Sequence, residues 1–278
     1  MPDFVFAQRY PAADWMVPLA KSSLVLTVSR RFVWLIAPIL LAGCASPRLS
    51  KHADTAALTG AWADASTFGG ATALMPWEHY VLPAKQATFF SAQRIHGRDT
   101  LKAHAKSSAS MVRRKLRIEP EALGTVQFSW LVESLIADAD MGDRDTDDAP
   151  VRIVLAFEGD RSKFSGRNAM LSELAHALTG EPMPYATLMY SWCMHCDPGQ
   201  TIINPRTDRI RTHVVETGSH ALGRWQDYVR DVRADFMATF GEPPGALVAV
   251  GMMTDADNTG SDVKAWYGPV VLGPAKLP

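Results

Sequence analysis

The sequence predicts a mostly β protein, a β-sandwich with two helices packed at its edge. Three observations carry that prediction. Nine short segments rich in β-branched and aromatic residues recur between Gly, Pro and Asp. Alternate residues within several of them are apolar, as with Leu101, Ala103 and Ala105 or Ile210, Thr212 and Val214, the period of a sheet with one buried face. A chain of 278 residues, 47% hydrophobic and 21% charged, is also long enough to bury a substantial core.

The formal net charge of −1 gives no global basic field, so no nucleic-acid partner is expected. The cysteines, Cys44, Cys193 and Cys196, are too few for a disulfide framework, so packing must supply the stability.

Taken from the N-terminus, Arg30 and Arg31 precede an uncharged run from Phe32 to Leu41, followed by Ala42, Gly43 and Cys44. This is the order of an export signal. The run is about a dozen residues, too short for a span of about 20, and Pro38 argues against a buried helix. Leu41-Ala42-Gly43-Cys44 resembles the lipobox of bacterial lipoproteins, which implies lipidation of Cys44 and a membrane anchor. Ala45 and Ser46 follow the cysteine, and by the same resemblance favour the outer membrane, facing the periplasm. Met1 to Ser29, with Asp3, Pro11 and Asp14, make a poor leader, and a start at Met16 or at an internal Val or Leu codon fits the signal better. The expected organisation is therefore a signal region over 1–43, a polar tether over 44–70 and one sandwich domain over 71–278.

Within that domain "WEHYVLP", "QATFFSAQ", "TLKAHAKSSASM", "VQFSWLVES", "VRIVLAFEG", "ATLMYSWC", "RIRTHVVETG", "ALVAVGMMT" and "VKAWYGPVVL" read as strands. Two stretches have helical spacing instead. Met170, Leu171, Leu174 and Leu178 lead to Gly180, and Leu222, Trp225, Val229, Val232, Phe236 and Phe240 lead to Gly241, with Ser219 as the expected N-cap of the second.

Four blocks, "DDAPVRIVLAFEGDRSKFS", "LTGEPMPYATLMYSWC", "HVVETGSHALGRWQDYVRDVRADFMATFGEPP" and "GMMTDADNTGSDVKAWYGPV", resemble successive parts of the bacterial family known as domain of unknown function 3047. The resemblance covers roughly residues 75 to 272. It implies a sandwich of the jelly-roll, carbohydrate-module type and brings no settled activity. Ser191 stands where the family usually has valine, and "CMHC" is not part of its pattern.

Several residue groups are candidates for chemistry. Cys193 and Cys196 in "WCMHC" suit a disulfide staple, a soft-metal site or a redox pair. Asp197-Pro198-Gly199 provides a turn where a redox motif needs a helix, and a lone pair of cysteines lacks the second pair of a zinc site. The acidic run Asp138 to Asp148 offers hard oxygens of the kind calcium takes, but Gly142 and Arg144 break the pattern of an EF-hand. In "TDADNTG", Asp255 and Asp257 would face one side in continued β conformation as a paired-carboxylate or half-calcium site, and with Asn258 could hydrogen-bond a ligand's hydroxyls; the alternative is an Asx-rich turn with Asn258 and Gly260 as left-handed residues. Asp147 and Asp148 would join them if both loops lie at one end of the sandwich. Trp130, Trp192, Trp266 and Tyr267 are candidate stacking platforms for a sugar, although aromatics in strands are more often core.

Nothing resembles a nucleophile elbow, a phosphate loop or an HExxH helix. The expectation is a lipid-anchored, non-catalytic binder of carbohydrate or another envelope ligand, with calcium as its one candidate cofactor. The alternatives are a hydrolase of an envelope polymer using Asp255 and Asp257, and, lower, a metal or thiol-redox protein using Cys193 and Cys196.

Overall fold

The computed structural model describes residues 58–69, 71 and 74–274. The signal region, the Cys44 site and the tether up to residue 57 lie outside the described residues.

The alternating segments become two seven-stranded sheets. Sheet 1 is built from β1 (Thr67–Phe68), β3 (Phe89–Ile95), β4 (Arg98–Lys106), β6 (Thr125–Val132), β11 (Gln226–Asp231), β13 (Asp262–Tyr267) and β14 (Val271–Leu272). Their order is β1-β14-β6-β13-β4-β3, with β11 paired to β6. Sheet 2 runs β2 (Leu74–Val81), β5 (Ala109–Ile118), β12 (Leu247–Asp255), β7 (Ala149–Phe157), β8 (Ala186–Cys193), β10 (Ile210–Thr217) and β9 (Thr201–Ile203). Every pairing is antiparallel except β1 with β14 and β8 with β10.

The inner faces follow from the period of two. Leu101, Ala103 and Ala105 are fully buried, as are Val151, Ile153, Leu155 and Phe157 on β7. Across the core, Phe128 and Trp130 of sheet 1 meet Tyr190 of sheet 2, the Phe128 and Tyr190 rings stacking at 5.5 Å. The sandwich expected from the sequence is the fold observed.

Three differences have physical reasons. The folded body takes in part of the expected tether: α1 (Ala61–Ala65) buries Trp62, whose indole N–H donates to the Gly268 carbonyl at 3.0 Å. The segment from Leu222 is not one helix. Asp231 caps α3 (Val232–Phe240) by accepting from the Ala234 amide, and the residues before it form β11, where Tyr228 packs on Phe128 while Val229 points to solvent. Ser219 caps nothing; its carbonyl closes a turn with the Leu222 amide. Thirdly, α2 (Gly166–Thr179), capped by Ser165 and closed by left-handed Gly180, turns its apolar stripe outward. Met170, Leu174 and Leu178 are exposed, whereas buried Asn168 holds the helix down through Asp208 and Thr207.

Candidate functional site

Two loops meet at one end of the sandwich and bring together the carboxylates singled out in the sequence. The loop from β6 to β7 is shaped by its own acids: Asp140 accepts from the Gly142 amide and Asp143 from the Asp145 amide. It delivers Asp147 and Asp148 to the start of β7, both buried. Asp148 then ties down the other loop, accepting from the Asn258 and Thr259 amides at 3.2 and 2.7 Å and from the Thr259 hydroxyl at 2.6 Å. Strand β12 ends at Asp255, and Gly260, at φ +67°, reverses the chain; Asn258 is not left-handed. As a result, one carboxylate oxygen each from Asp148, Asp255 and Asp257 lies within 4.8 Å of the other two.

The surroundings supply two basic side chains that sequence reasoning missed. Lys85, on the loop between β2 and β3, donates to Asp257 and, at 3.3 Å, to the Asn258 amide oxygen. Arg152 is buried on β7 and donates to the Asp147 carboxylate at 2.8 Å, with Asp255 3.8 Å away. Asn204 also donates to Asp147. The signal for Arg152 was legible: it is a charged residue inside the apolar run "VRIVLAF", four residues after Asp148.

Asp255 is the unusual member of the group. Its side chain is 10% exposed, and its Oδ1, like that of Asp257, is buried without a hydrogen-bond partner among the described residues. Burial pushes its carboxyl well above the usual carboxylate range; Asp257 and Asp148 push the same way and Arg152 opposes them. The stability consequence follows from sign. An unfolded aspartate releases its proton near pH 3.9, whereas the folded one keeps it to higher pH, so stability falls as pH rises from that value through the folded pKa. In EDTA-containing buffer, wild-type protein should lose about 1.4 kcal/mol for each unit separating the two pKa values, and Asp255→Asn should flatten the profile. Urea midpoints across that range measure it; parallel profiles would show that Asp255 titrates normally.

A paired acid and carboxylate is what general acid-base chemistry requires. Glycosidase pairs, however, stand at least about 5 Å apart across a cleft that holds the sugar. Here one oxygen from each acid lies within 4.8 Å of the other two, short of that spacing.

The structure corrects the other site expectations. Trp130, Trp192, Trp266 and Tyr267 are buried and offer no exposed platform. The Trp192 indole donates to the Gly218 carbonyl, the Trp266 indole to Gln93, and the Tyr267 hydroxyl to the Met253 carbonyl. Cys193 and Cys196 are joined as a disulfide at the end of β8, which leaves no thiolate to hold a soft metal in this state.

An apolar groove went unseen in the sequence. A groove of about 230 Å³ lies on the outer face of sheet 2, with Met111, Gly251, Ala156 and Met189 among its lining. Small residues make the hollow: a Cβ on Gly251 would stand 3.2 Å from the Val112 carbonyl oxygen. Ala175 of α2 and the segment 181–184 contribute a wall. Charge is confined to a cluster in which Glu181 accepts from Arg113 and Lys115, while the Arg113 guanidinium lies 3.8 Å from the centre of the Tyr80 ring. These residues sit on separate strands, and their shared outer face emerges only once the register is known.

Fold and site together define a two-sheet β-sandwich domain with an apolar groove on one sheet and a buried carboxylate cluster at one end. Residues 75–271 match the family model described as protein of unknown function (DUF3047), and the chain belongs to that family. No curated protein matches it. Among solved structures, the xyloglucanase domain of NopAA, a type three effector from Sinorhizobium fredii, in complex with cellobiose, is similar over 72% of this chain and 98% of that one. The TM-score is 0.35 and the identity 5%, a likeness too loose to carry any argument.

Proposed function

We propose that this domain is a non-catalytic binding module of the cell envelope that seats the apolar part of an amphiphilic envelope component, an acyl chain, in the groove of sheet 2. The groove's lining is the observation that carries the reading. Val154, Ala156, Met183, Met189 and Ile210 offer contact area with few hydrogen-bonding groups, which suits a hydrocarbon better than a sugar. Tyr80 is the one aromatic of the lining, and one face is taken by Arg113. The cluster of Glu181, Arg113 and Lys115 would meet the polar head. A lipid anchor at Cys44, as the sequence suggests, would hold the domain beside a membrane that supplies such ligands.

Each buried methylene contributes about 0.8 kcal/mol, so a chain of about six to eight gives about 5–6 kcal/mol and a Kd of tens to hundreds of micromolar. Binding of a dansylated medium-chain fatty acid, followed by fluorescence, tests this. Ala156→Trp fills the hollow and should weaken binding at least about tenfold. Equal binding by both proteins, or none by the wild type, overturns the reading. A glycan array and product analysis on the same samples separate the alternatives: saccharide binding would restore the carbohydrate reading, and polymer cleavage lost in Asp255→Asn would establish the hydrolase.

A further inference from the structure

We propose that Asp148, Asp255 and Asp257 bind a calcium ion that pins the β12–β13 turn to the start of β7, independently of what the groove holds. Two separate observations carry this. One is placement: three carboxylate oxygens from two loops, mutually within 4.8 Å. Ligands on opposite sides of calcium, at about 2.4 Å each, are about 4.8 Å apart, so all three oxygens lie within the span that one such ion can bridge.

The second observation is a buried carboxylate oxygen without a hydrogen-bond partner. Asp255 is nine-tenths buried, and its Oδ1 has no hydrogen-bond partner among the described residues, although it belongs to the group that faces Asp148 and Asp257. Asp257 Oδ1 is buried and unpartnered as well. Buried carboxylate oxygens are costly to leave unsatisfied, so a proton or a cation belongs between them.

Charge balance favours the cation. Four carboxylates, Asp147, Asp148, Asp255 and Asp257, face Arg152 and Lys85, which leaves two negative charges. Arg206, 3.8 Å from Asp147 with its side chain 43% exposed, offsets part of this charge and is partly screened by water. A single proton removes one of the two charges, and a divalent ion removes both. Hard oxygen donors select calcium over softer metals, and water would complete the shell of six to eight ligands. Lys85 holds only one oxygen of Asp257, so the ion and the ammonium can share that carboxylate.

The test is calorimetry and thermal unfolding of the purified full chain after treatment with EDTA. Calcium at about 100 times its Kd should raise the melting temperature by about 5–10 °C, with a smaller rise for magnesium. Asp255→Asn keeps shape and volume while removing the charge, so it should fold and lose most of the calcium-dependent rise. Asp257→Asn should do the same, which guards against one variant failing to fold. No heat and no shift at millimolar calcium overturns the proposal and leaves Asp255 holding a proton. A rise of the same size in wild type and both variants places the ion elsewhere and overturns it equally.

Discussion

Arg152→Met should cost the domain about 3–5 kcal/mol of stability, among the largest losses expected of any single substitution here. The guanidinium is 3% exposed and donates to both the carboxylate and the carbonyl of Asp147, with Asp255 also facing it. Methionine fits the space beside Met189 but leaves Asp147 buried with only Asn204 and half-exposed Arg206, 3.8 Å away, to offset its charge. The loss is therefore chiefly that of an uncompensated charge. Adding Asp147→Asn should recover about half of it, because the two residues act as one unit. Urea unfolding of the three proteins measures both effects. A loss below about 1 kcal/mol would show that water reaches the site and screens the pair.

Trp130→Ala should cost a similar amount, about 3–5 kcal/mol, and for a different reason. Its side chain is fully buried, with ring centres 5.0 Å from Phe128 and 5.2 Å from Tyr228, so truncation opens a cavity between β6 and β11. Tyr80→Ala gives the contrast. Tyr80 is half-buried at the groove, so its loss should cost about 1 kcal/mol while weakening the dansylated fatty acid clearly. If Trp130→Ala folds with near-native stability yet fails to bind, Trp130 is a ligand contact and its placement in the core is wrong.

The contrast between these two aromatics marks what is legible in a sequence. Alternation showed that residues of β4 face inward, because a strand's period does not depend on its neighbours. It did not show which aromatics lie inside, since Trp130 on a strand reads the same whether a second sheet covers it or not. Asp255 and Asp257 stood out as near neighbours in the chain, and the structure does bring Asp148 to them. Lys85 comes from a distant segment and depended on loop geometry for its place, whereas Arg152, a lone charge in the apolar run of β7, carried a signal that went unused. The stretch from Leu222 to Phe240 has one apolar spacing that satisfies a helix throughout, yet Asp231 offers a cap midway and the edge of β6 offers hydrogen bonds to what precedes it. Long-range pairing outweighed the local period there.

The hydrogen bond from Trp62 to Gly268 joins residues 206 apart in the chain, and β1 lies beside β14 at the same seam. Closing a loop of that length first would cost about 5 kcal/mol of chain entropy before any other contact offset it. We therefore expect the seam to close late, since β6 cannot complete its pairing before β13 and β14 are present. Until residues 262–272 emerge from the ribosome, Trp62 and β1 have nowhere to dock. Protease resistance is accordingly expected to appear only once that stretch has been made.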